Sequence, residues 1–507
     1  MSLYINNHMQ KANIKISPHF TISEVDTRLF GGFLEQLGRA VYEGIYEPGH
    51  PEADDQGFRK DAINLVKELK VPVIRYPGGN FVSGYNWEDG VGPLEDRPAQ
   101  LDLAWKALEP NHIGTNEFVD WCRKVDSDPG IAVNLGTRGP EAAKNLVEYC
   151  NHPKGTYWSD LRRKHGYSDP HDIKLWCLGN EMDGPWQIEA KTATEYGRIA
   201  CEAAKMMKCV DSSIELVACG SSYREMPTFG AWEVEVLEHT FEHVEYLSIH
   251  TYYGNPDNDT PTFLAKSDEM NDFIKEVVAV CDYLAAKKRT DKRIMLSFDE
   301  WNVWYRARNE VMTDWVTPKP LLEEVYNMED ALLVGGMLIT LLNNADRVKI
   351  ACIAQLVNVI APIMTKKGDA SWVQSIFYPF VQTSTHGRGT VLTPVVDSPT
   401  YDTSKKKSIP YLTSACIYDA EKGELKLFSV NRHLDEPLEL LLDLSSFDPL
   451  KILECSTLHH SDLKAANTLE NPQKIAPKDN EKAHLDTQQL TVELPSASWN
   501  MIRLGRV

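Results

Sequence analysis

Two glutamates lie directly behind apolar stretches of the chain. Glu181 follows Trp176–Asn180 (WCLGN), and Glu300 follows Ile294–Asp299 (IMLSFD). A carboxylate in a buried segment costs free energy unless it is paired or used in chemistry. Two such carboxylates in one cavity can hydrolyse a glycosidic bond, one as the acid and the other as nucleophile or base. Pairing of each glutamate with a buried cation such as Arg75 is the structural alternative.

The elements that must position these residues alternate along the chain up to residue 356. Eight β-type runs are followed by polar or glycine-rich residues, and stretches with helical periodicity such as Phe58–Lys70 and Thr194–Met207 lie between them. This alternation predicts parallel strands with right-handed crossovers. We expect an α/β fold with a (β/α)8 TIM barrel, although periodicity alone also permits an open sheet. The runs are Arg28–Leu34, Val71–Tyr76, Ile131–Leu135, Ile173–Leu178, Glu215–Cys219, Tyr246–His250, Arg293–Phe298 and Lys349–Leu356.

The carboxyl ends of these predicted strands carry most of the candidate functional residues. Barrel enzymes place their catalytic groups at this end. The polar side chains found there are Glu35, Arg75, Asn80, Asn180, Glu181, His250, Tyr252, Glu300 and Gln355. We therefore expect them to face one mouth. Two glutamates at strand ends of one barrel favour catalysis over simple pairing with cations.

The pattern changes after about residue 380. Short alternating runs such as Leu425–Asn431 and Leu438–Asp443 are separated by turn residues, which is typical of an antiparallel β-sandwich. We predict a catalytic barrel over residues 18–382 and a jelly-roll-like β-sandwich over residues 383–507. Residues 1–17 are predicted to add a strand to the sandwich, because KANIKIS at 11–17 has a strand pattern.

The composition excludes several classes of function. Lys and Arg number 53 and Asp and Glu number 73, which gives a net charge of −20. No nucleic-acid partner is expected, because phosphate binding needs a basic face. The N-terminus lacks a secretory leader pattern, and the most apolar stretch, Ala331–Leu342, is too short for a bilayer and predicts a buried helix. Ten cysteines without close pairing complete the prediction of a cytoplasmic protein with no membrane partner.

Two signals that involve histidines are weaker. His239–His243 (HTFEH) matches the H-x-x-E-H pattern of some zinc peptidases. Its helix precedes the sixth strand and so ends at the bottom of the barrel, and no third ligand is evident, so we predict no metal site there. His250 lies two residues before Tyr252, and both a structural role and direct contact with substrate are compatible with that position.

Seven segments, taken in order, are similar to one family. They are GGFLEQLGR (31–39), IRYPGGNF (74–81), NLGTRG (134–139), WCLGNEMDGPWQ (176–187), SIHTYY (248–253), SFDEWNVWY (297–305) and AQLVNVIAPI (354–363). Together they resemble glycoside hydrolase family 51, the α-L-arabinofuranosidases, and the resemblance runs from about residue 16 to the C-terminus. The Asn-Glu pair alone is shared by the wider clan of barrel glycosidases. Tyr76 stands where many relatives have Trp.

The resemblance implies roles for individual residues. Glu181 would be the general acid/base and Glu300 the nucleophile of a retaining double displacement, which requires carboxyl groups about 5–5.5 Å apart. Asn180 would hydrogen-bond the 2-OH of the furanose, and Tyr252 would donate to Glu300. The other positions expected around the sugar or the cleavage point are Glu35, Arg75, Asn80, Gln355, Trp105, Trp304 and His250.

The resemblance also implies an activity. We expect an exo-acting α-L-arabinofuranosidase that releases terminal non-reducing residues from small arabino- and arabinoxylo-oligosaccharides. An endo-acting β-glycanase of the same fold is the alternative. A non-catalytic carbohydrate-binding protein is a third hypothesis, which the presence of both carboxylates disfavours. The family further implies a homo-oligomer, often a hexamer, and the mechanism requires no metal or organic cofactor.

Overall fold

The computed structural model of the chain describes residues 9–307 and 314–507. Its first two strands, β1 (Gln10–Lys15) and β2 (Thr21–Glu24), precede a closed barrel. The strands that follow are β3 (Gly31–Phe33), β4 (Val73–Tyr76), β5 (Gln100–Asp102), β6 (Ala107–Glu109), β7 (Asp128–Ala132), β8 (Leu175–Leu178), β9 (Glu215–Cys219), β10 (Tyr246–Tyr253), β11 (Met295–Val303) and β12 (Val348–Ala354). β5 and β6 pair with each other as a separate hairpin.

The barrel is closed by parallel pairing. Its strand order is β10-β11-β12-β3-β4-β7-β8-β9, and every neighbouring pair is parallel. Each of the eight predicted runs overlaps one of these strands, so the predicted (β/α)8 barrel is confirmed. The largest change is in the first run, where Thr27–Phe30 forms a short 3-10 helix before β3 begins.

Helices alternate with the barrel strands. They are α1 (Lys60–Leu69), α2 (Thr115–Lys124), α3 (Pro140–Asn151), α4 (Tyr157–Lys164), α5 (Ala193–Val210), α6 (Ala231–Thr240), α7 (Thr260–Leu264), α8 (Lys266–Lys288) and α9 (Met328–Asn343). In α1, the buried residues Ala62, Ile63, Val66 and Leu69 recur at helical spacing and form one apolar face. Further 3-10 turns lie at Asn80–Gly84, Trp87–Gly90 and Leu94–Asp96.

Two large sheets and two short two-stranded pairs form the C-terminal part. Its elements are β13 (Ile363–Thr365), β14 (Ser371–Val373), α10 (Phe377–His386), β15 (Thr390–Leu392), β16 (Val395–Asp397), β17 (Thr400–Tyr401), β18 (Ile409–Pro410), β19 (Leu412–Asp419), β20 (Glu424–Asn431), β21 (Leu438–Asp443), β22 (Leu450–Leu458), β23 (Lys478–Asp479), β24 (Ala483–Asp486), β25 (Gln489–Leu494) and β26 (Ser498–Arg506). One sheet has the order β16-β1-β21-β25-β24 and the other β2-β15-β19-β20-β26-β22-β23. Apolar side chains such as Leu440, Val492 and Leu427 form a core of their own in these sheets. The predicted antiparallel C-terminal domain is confirmed.

Both N-terminal strands pair with these C-terminal sheets. β1 lies parallel to β21 and antiparallel to β16, and its buried Ala12 and Ile14 join the sandwich core. β2 pairs with β15 of the second sheet, although Thr21–Glu24 falls inside the segment that the sequence assigns to the barrel. The exact domain boundaries at residues 18 and 382 stay a prediction.

Helix α9 lies between the barrel and the sandwich. It is buried from Met328 to Leu342 and contacts β11 of the barrel as well as β19, β20 and β26. A helix that is apolar on all sides must be buried, so the predicted buried helix at 331–342 is confirmed. A Cβ atom at Gly335 would lie 2.5 Å from the ring of Trp499, which shows how closely α9 approaches β26.

The described residues carry two further features that bear on the sequence predictions. None of their helices combines the length and apolar character needed to cross a membrane. The ten cysteines are free thiols, most of them buried.

Gly335→Ala should lower the free energy of unfolding by about 1–3 kcal/mol, because the added methyl group overpacks the contact with Trp499. In a helical position with free space, replacing glycine by alanine instead raises the free energy of unfolding by up to about 1 kcal/mol. The sign of the change therefore shows whether Gly335 is tightly packed. Thermal unfolding checks the prediction. Gly49→Ala is the control, since a Cβ there meets no atom within 4 Å. A Tm for Gly335→Ala that equals or exceeds that of the wild type would contradict this packing.

Candidate active site

The predicted site residues meet at the carboxyl ends of the barrel strands. Arg75 lies in β4, His250 and Tyr252 lie in β10, and Glu300 lies in β11. The residues that directly follow strands are Glu35 after β3, Asn180 and Glu181 after β8, and Gln355 after β12. Most of these side chains are almost completely buried, so the site is the mouth of the barrel rather than an open surface.

Glu300 is held by two hydrogen-bond donors. Arg75 Nη1 lies 2.7 Å from Oε1, and Tyr252 Oη donates to Oε2 at 2.8 Å. Burial, together with the adjacent charge of Glu300, holds the pKa of Tyr252 well above its usual range, so the phenol remains a donor. Both contacts favour the ionised form of a carboxylate and fix its orientation.

Glu181 lies in a strained turn beyond β8. Its φ of +43° is in the left-handed region, which costs free energy for a residue with a Cβ. Its Oε1 lies 2.9 Å from His250 Nδ1, and its Oε2 accepts a hydrogen bond of 2.6 Å from Trp186 Nε1. Two residues further on, Asp183 accepts a hydrogen bond from the Ser222 amide and anchors the turn.

The two carboxylates lie close together beside the same ring nitrogen of His250. An oxygen of Glu181, a ring nitrogen of His250 and an oxygen of Glu300 all lie within 4.8 Å of one another. His250 Nδ1 is 2.9 Å from Glu181 and 3.6 Å from Glu300 Oε2. The structure thus brings together the two glutamates that the sequence singles out.

A third carboxylate, Asp299, is buried behind this pair. Its Oδ1 lies 2.8 Å from His250 Nε2, and its Oδ2 lies 3.7 Å from Arg75 Nε. Burial opposes ionisation of Asp299, but the charge of Arg75 and the hydrogen bond with His250 outweigh burial and lower its pKa. Burial also opposes a charge on His250, yet the negative charges of Glu300 and Asp299 raise its pKa to about 10. His250 is therefore a buried cation among three carboxylates.

This geometry separates the two interpretations of His250 that the sequence leaves open. Nδ1 of His250 faces Glu181 and Nε2 faces Asp299, and the side chain is 3% exposed. Both ring nitrogens are therefore engaged with carboxylates of the protein. The structure supports a positioning role for His250 rather than direct contact with substrate.

Sequence reasoning missed Asp299 and Trp186. Adjacent residues in a regular strand point to opposite faces, so Asp299 and Glu300 are not expected to share a site. The pairing of β11 shifts between Phe298 and Trp301, and such an irregularity re-aims side chains beside active sites. The Asp-Glu pair at a strand end was the only available signal for Asp299. No sequence pattern indicates that the ring of Trp186 folds back onto Glu181.

Glu35 forms a second polar pocket. Its Oε1 accepts hydrogen bonds from Trp105 Nε1 at 2.9 Å and from the Phe81 amide at 3.0 Å, and its Oε2 lies 3.5 Å from Gln355 Nε2. A Cβ at Gly79 would come within 2.5 Å of Oε2, so this close approach requires glycine. Burial raises the pKa of Glu35 to about 8, and the charge of Glu300 acts in the same direction. At neutral pH the carboxyl is therefore mainly protonated and can donate as well as accept hydrogen bonds.

The remaining predicted residues lie on loops around the same mouth. Asn180 Oδ1 accepts a hydrogen bond from Arg75, while its Nδ2 is buried without a hydrogen-bond partner among the described residues. Trp304 packs edge-on against Tyr252, with ring centroids 5.4 Å apart. Asn80 begins the 3-10 turn whose next residue, Phe81, donates to Glu35.

The trio Glu181, His250 and Glu300 has a geometry that could hold a metal ion. A histidine whose pKa is raised to about 10 carries protons on both ring nitrogens at neutral pH, and it then has no lone pair to offer a metal. The trio therefore fits a hydrogen-bonded cluster better than a metal centre. In the H-x-x-E-H segment, His239 lies on α6 and its Nε2 is 3.4 Å from Glu235 of the same helix.

Comparison with known proteins places this site in a family. Two family models match, the α-L-arabinofuranosidase 1 domain over residues 65–272 and the α-L-arabinofuranosidase C-terminal domain over residues 299–498. A solved family 51 α-L-arabinofuranosidase from Bifidobacterium longum superposes with a TM-score of 0.94 at 42% identity, covering 97% of this chain and 99% of that one. The chain belongs to the α-L-arabinofuranosidases of glycoside hydrolase family 51.

Curated relatives in this α-L-arabinofuranosidase family match over nearly their whole length. The intracellular exo-α-(1→5)-L-arabinofuranosidase of Halalkalibacterium halodurans is 58% identical, over 98% of this chain and 99% of its own. The exo-α-(1→6)-L-arabinofuranosidase of Bifidobacterium longum is 46% identical over 98% of each chain. The resemblance predicted from the seven sequence segments is therefore confirmed, and the chain is a glycoside hydrolase.

Glu35→Gln should change how stability depends on pH. The ordinary pKa of 4.5 applies to the unfolded chain, whereas the pKa in the fold is about 8. Between these values the folded state binds one more proton than the unfolded state. The contribution of Glu35 to stability is thus fully present below the unfolded-state pKa of 4.5, and it is lost as the pH rises through the folded-state pKa of about 8. Glu35→Gln has no carboxyl group and cannot lose this contribution. The Tm of the variant minus the Tm of the wild type should therefore be larger at about pH 8 than at about pH 5.

Calorimetric unfolding at both pH values measures this difference. Glu189→Gln is the matched control, because that side chain is 61% exposed. A Tm difference between Glu35→Gln and wild type that is the same at both pH values would contradict a protonated Glu35.

Proposed function

We propose that this chain is a retaining exo-α-L-arabinofuranosidase that removes terminal non-reducing α-L-arabinofuranosyl residues through a covalent glycosyl-enzyme. Glu300 is the nucleophile and Glu181 is the general acid/base. The observation that carries the proposal is the spacing of the two carboxylates, whose nearest oxygens lie within 4.8 Å of each other. Retaining enzymes need a separation of about 5–5.5 Å, whereas inverting enzymes need about 6.5–9.5 Å to admit a water.

The proposed reaction has two steps. In the first, an oxygen of Glu300 attacks the anomeric carbon, the glycosidic bond breaks, and the leaving oxygen takes the proton of Glu181. In the second, Glu181 removes a proton from water, and the water oxygen attacks the anomeric carbon and displaces Glu300. Glu181 thereby regains its proton and Glu300 its negative charge.

The charges around the pair support these roles. Arg75 and His250 supply two buried cations, and Asp299 and Glu300 supply two anions. With these four charges balanced, Glu181 is the remaining carboxyl group beside His250, and its protonation changes in both proposed steps. The two donors on Glu300 favour the ionised state that a nucleophile requires.

Two groups support binding of the arabinofuranosyl residue. The buried Nδ2 of Asn180 has no hydrogen-bond partner among the described residues, so it can donate to the 2-OH of the sugar at little additional desolvation cost. The protonated carboxyl of Glu35, with Trp105 and Gln355 beside it, offers a donor and an acceptor to further hydroxyl groups. Asn80 and Trp304 complete the proposed surroundings of the sugar.

The relatives guide the proposed substrate. Both curated relatives are named as exo-acting, so the endo-acting β-glycanase is not favoured. Their names differ in linkage, and the more similar one is named for α-(1→5). We therefore propose α-(1→5)-linked arabino-oligosaccharides as substrates inside the cell, with arabinoxylo-oligosaccharides as further substrates. The homo-oligomer stays a prediction from the family resemblance.

Glu300→Ala should abolish turnover of all arabinofuranosides. Glu181→Ala should instead lower the rate strongly, by about 10²–10⁴-fold, on substrates with poor leaving groups, because only these need proton donation. Steady-state rates on aryl arabinofuranosides and on arabinobiose, with and without azide, check both roles. Azide should restore part of the Glu181→Ala rate and none of the Glu300→Ala rate.

Glu189→Ala, an exposed change in the same loop as Glu181, is the control and should keep wild-type rates. An equal loss on all substrates without azide rescue would show that Glu181 is not the acid/base.

From the earliest time points, digestion of α-(1→5)-arabino-oligosaccharides should yield arabinose and the oligosaccharide shortened by one residue, with the α-anomer of arabinose formed first. Proton NMR of the initial product and chromatography of the digest measure both. Early appearance of oligosaccharides shortened by two or more residues, without matching arabinose, would instead indicate endo action, and first formation of the β-anomer would indicate inversion.

A further inference from the structure

Trp186 makes a contact with Glu181 that the proposed roles do not explain. Its Nε1 lies 2.6 Å from Glu181 Oε2, on the opposite side of the carboxyl group from His250. The indole is 42% exposed at the mouth, so this hydrogen bond is not a by-product of burial in the core. It joins two residues five positions apart in the same loop.

The loop is built to hold the indole in this place. A Cβ at Gly184 would lie 2.5 Å from the Trp186 ring, so the ring can fold back only over a glycine. The Gly184 amide donates to the Glu181 carbonyl at 2.8 Å and closes the turn. The other support is Tyr223, whose ring is stacked at 5.9 Å with an interplanar angle of 22°.

The two donors on Glu181 limit where its proton can point. His250 Nδ1 is protonated, because the pKa of that ring is raised to about 10, and it donates to Oε1. The indole N–H of Trp186 can only donate, and it occupies one lone-pair direction of Oε2. Neither neighbour can accept the carboxyl proton, so that proton faces the cavity where the leaving oxygen of a substrate would lie.

We propose that Trp186 is a positioning residue that acts through Glu181. Its N–H holds Oε2 so that the acid proton points to the leaving oxygen, and it stabilises the carboxylate that remains after proton transfer. This inference rests on the proposed acid/base role of Glu181. No bond to Trp186 forms or breaks in either step.

Trp186→Phe tests the N–H alone, because the phenyl ring can keep the stack on Tyr223. Tyr283→Phe, which also removes an exposed ring donor, is the control, since Tyr283 is 55% exposed near the end of α8, the helix that leads to the start of β11. A series of aryl arabinofuranosides of equal size but different leaving-group acidity isolates proton donation. For Trp186→Phe we expect kcat/KM to fall about threefold to tenfold on the phenyl substrate and less than twofold on the dinitrophenyl substrate.

The pH profile provides a second readout. Loss of a donor disfavours the ionised carboxylate, so the alkaline limb of kcat/KM for Trp186→Phe should move up by roughly half a pH unit to one unit. Tyr283→Phe should leave the alkaline limb and the leaving-group dependence unchanged. If Trp186 only supports the loop or stacks on substrate, Trp186→Phe will show neither effect, and the proposal is overturned.

A double variant separates this proposal from the proposed function. In the Glu181→Ala background, with azide present, adding Trp186→Phe should change the rate less than twofold, because the carboxyl group that Trp186 positions is absent. A further loss equal to that of the single variant would overturn the action through Glu181. Failure of azide to rescue Glu181→Ala alone would overturn the acid/base role itself, whatever Trp186→Phe does.

Discussion

The buried charge of Arg75 is the constraint on which the site depends. A guanidinium that is 2% exposed is expensive to desolvate unless its N–H groups meet acceptors. Arg75 meets Glu300, Asn180 and Asp299, which come from β11 and from the turn after β8. Neither of these strands neighbours β4 in the barrel order, so only barrel closure brings the acceptors together. A single buried cation thus links the three parts of the chain that carry the chemistry.

The charge compensation extends from Arg75 to the cavity. Asp299 is ionised because Arg75 and His250 flank it, and His250 is cationic because Asp299 and Glu300 flank it. Glu181 is the outermost member of this chain of contacts and the one with the most exposed side chain, at 12%. Glu35 lies to one side with a raised pKa, because its donors do not offset its burial. The protein therefore places four carboxyl groups and two cationic groups within one mouth, and it lowers the pKa of Asp299 while it raises those of His250 and Glu35.

Much of the fold could be predicted, because buried strands and helices have characteristic spacings of apolar residues in the sequence. All eight barrel strands, the apolar helix α9 and the strand near residue 11 follow from runs and alternation alone. The pairing of Thr21–Glu24 with β15 could not be predicted, since four residues of mixed polarity carry no signal of their partner. The close approach of Gly335 to Trp499 likewise joins residues far apart in sequence, and only packing defines it.

The sequence alone determined the barrel, the family and the two glutamates, because strand ends in a parallel barrel must converge and the motifs around them are specific. Only the tertiary structure decided how those groups are charged and aimed. Asp299 enters the site through an irregularity in the pairing of β11, His250 turns both nitrogens to carboxylates, and Trp186 folds back over Gly184 onto Glu181. Each of these depends on distances of a few ångströms that are set by the packing of neighbouring strands or by the fold of one loop. Such distances set desolvation and hydrogen bonding, and no residue pattern records them.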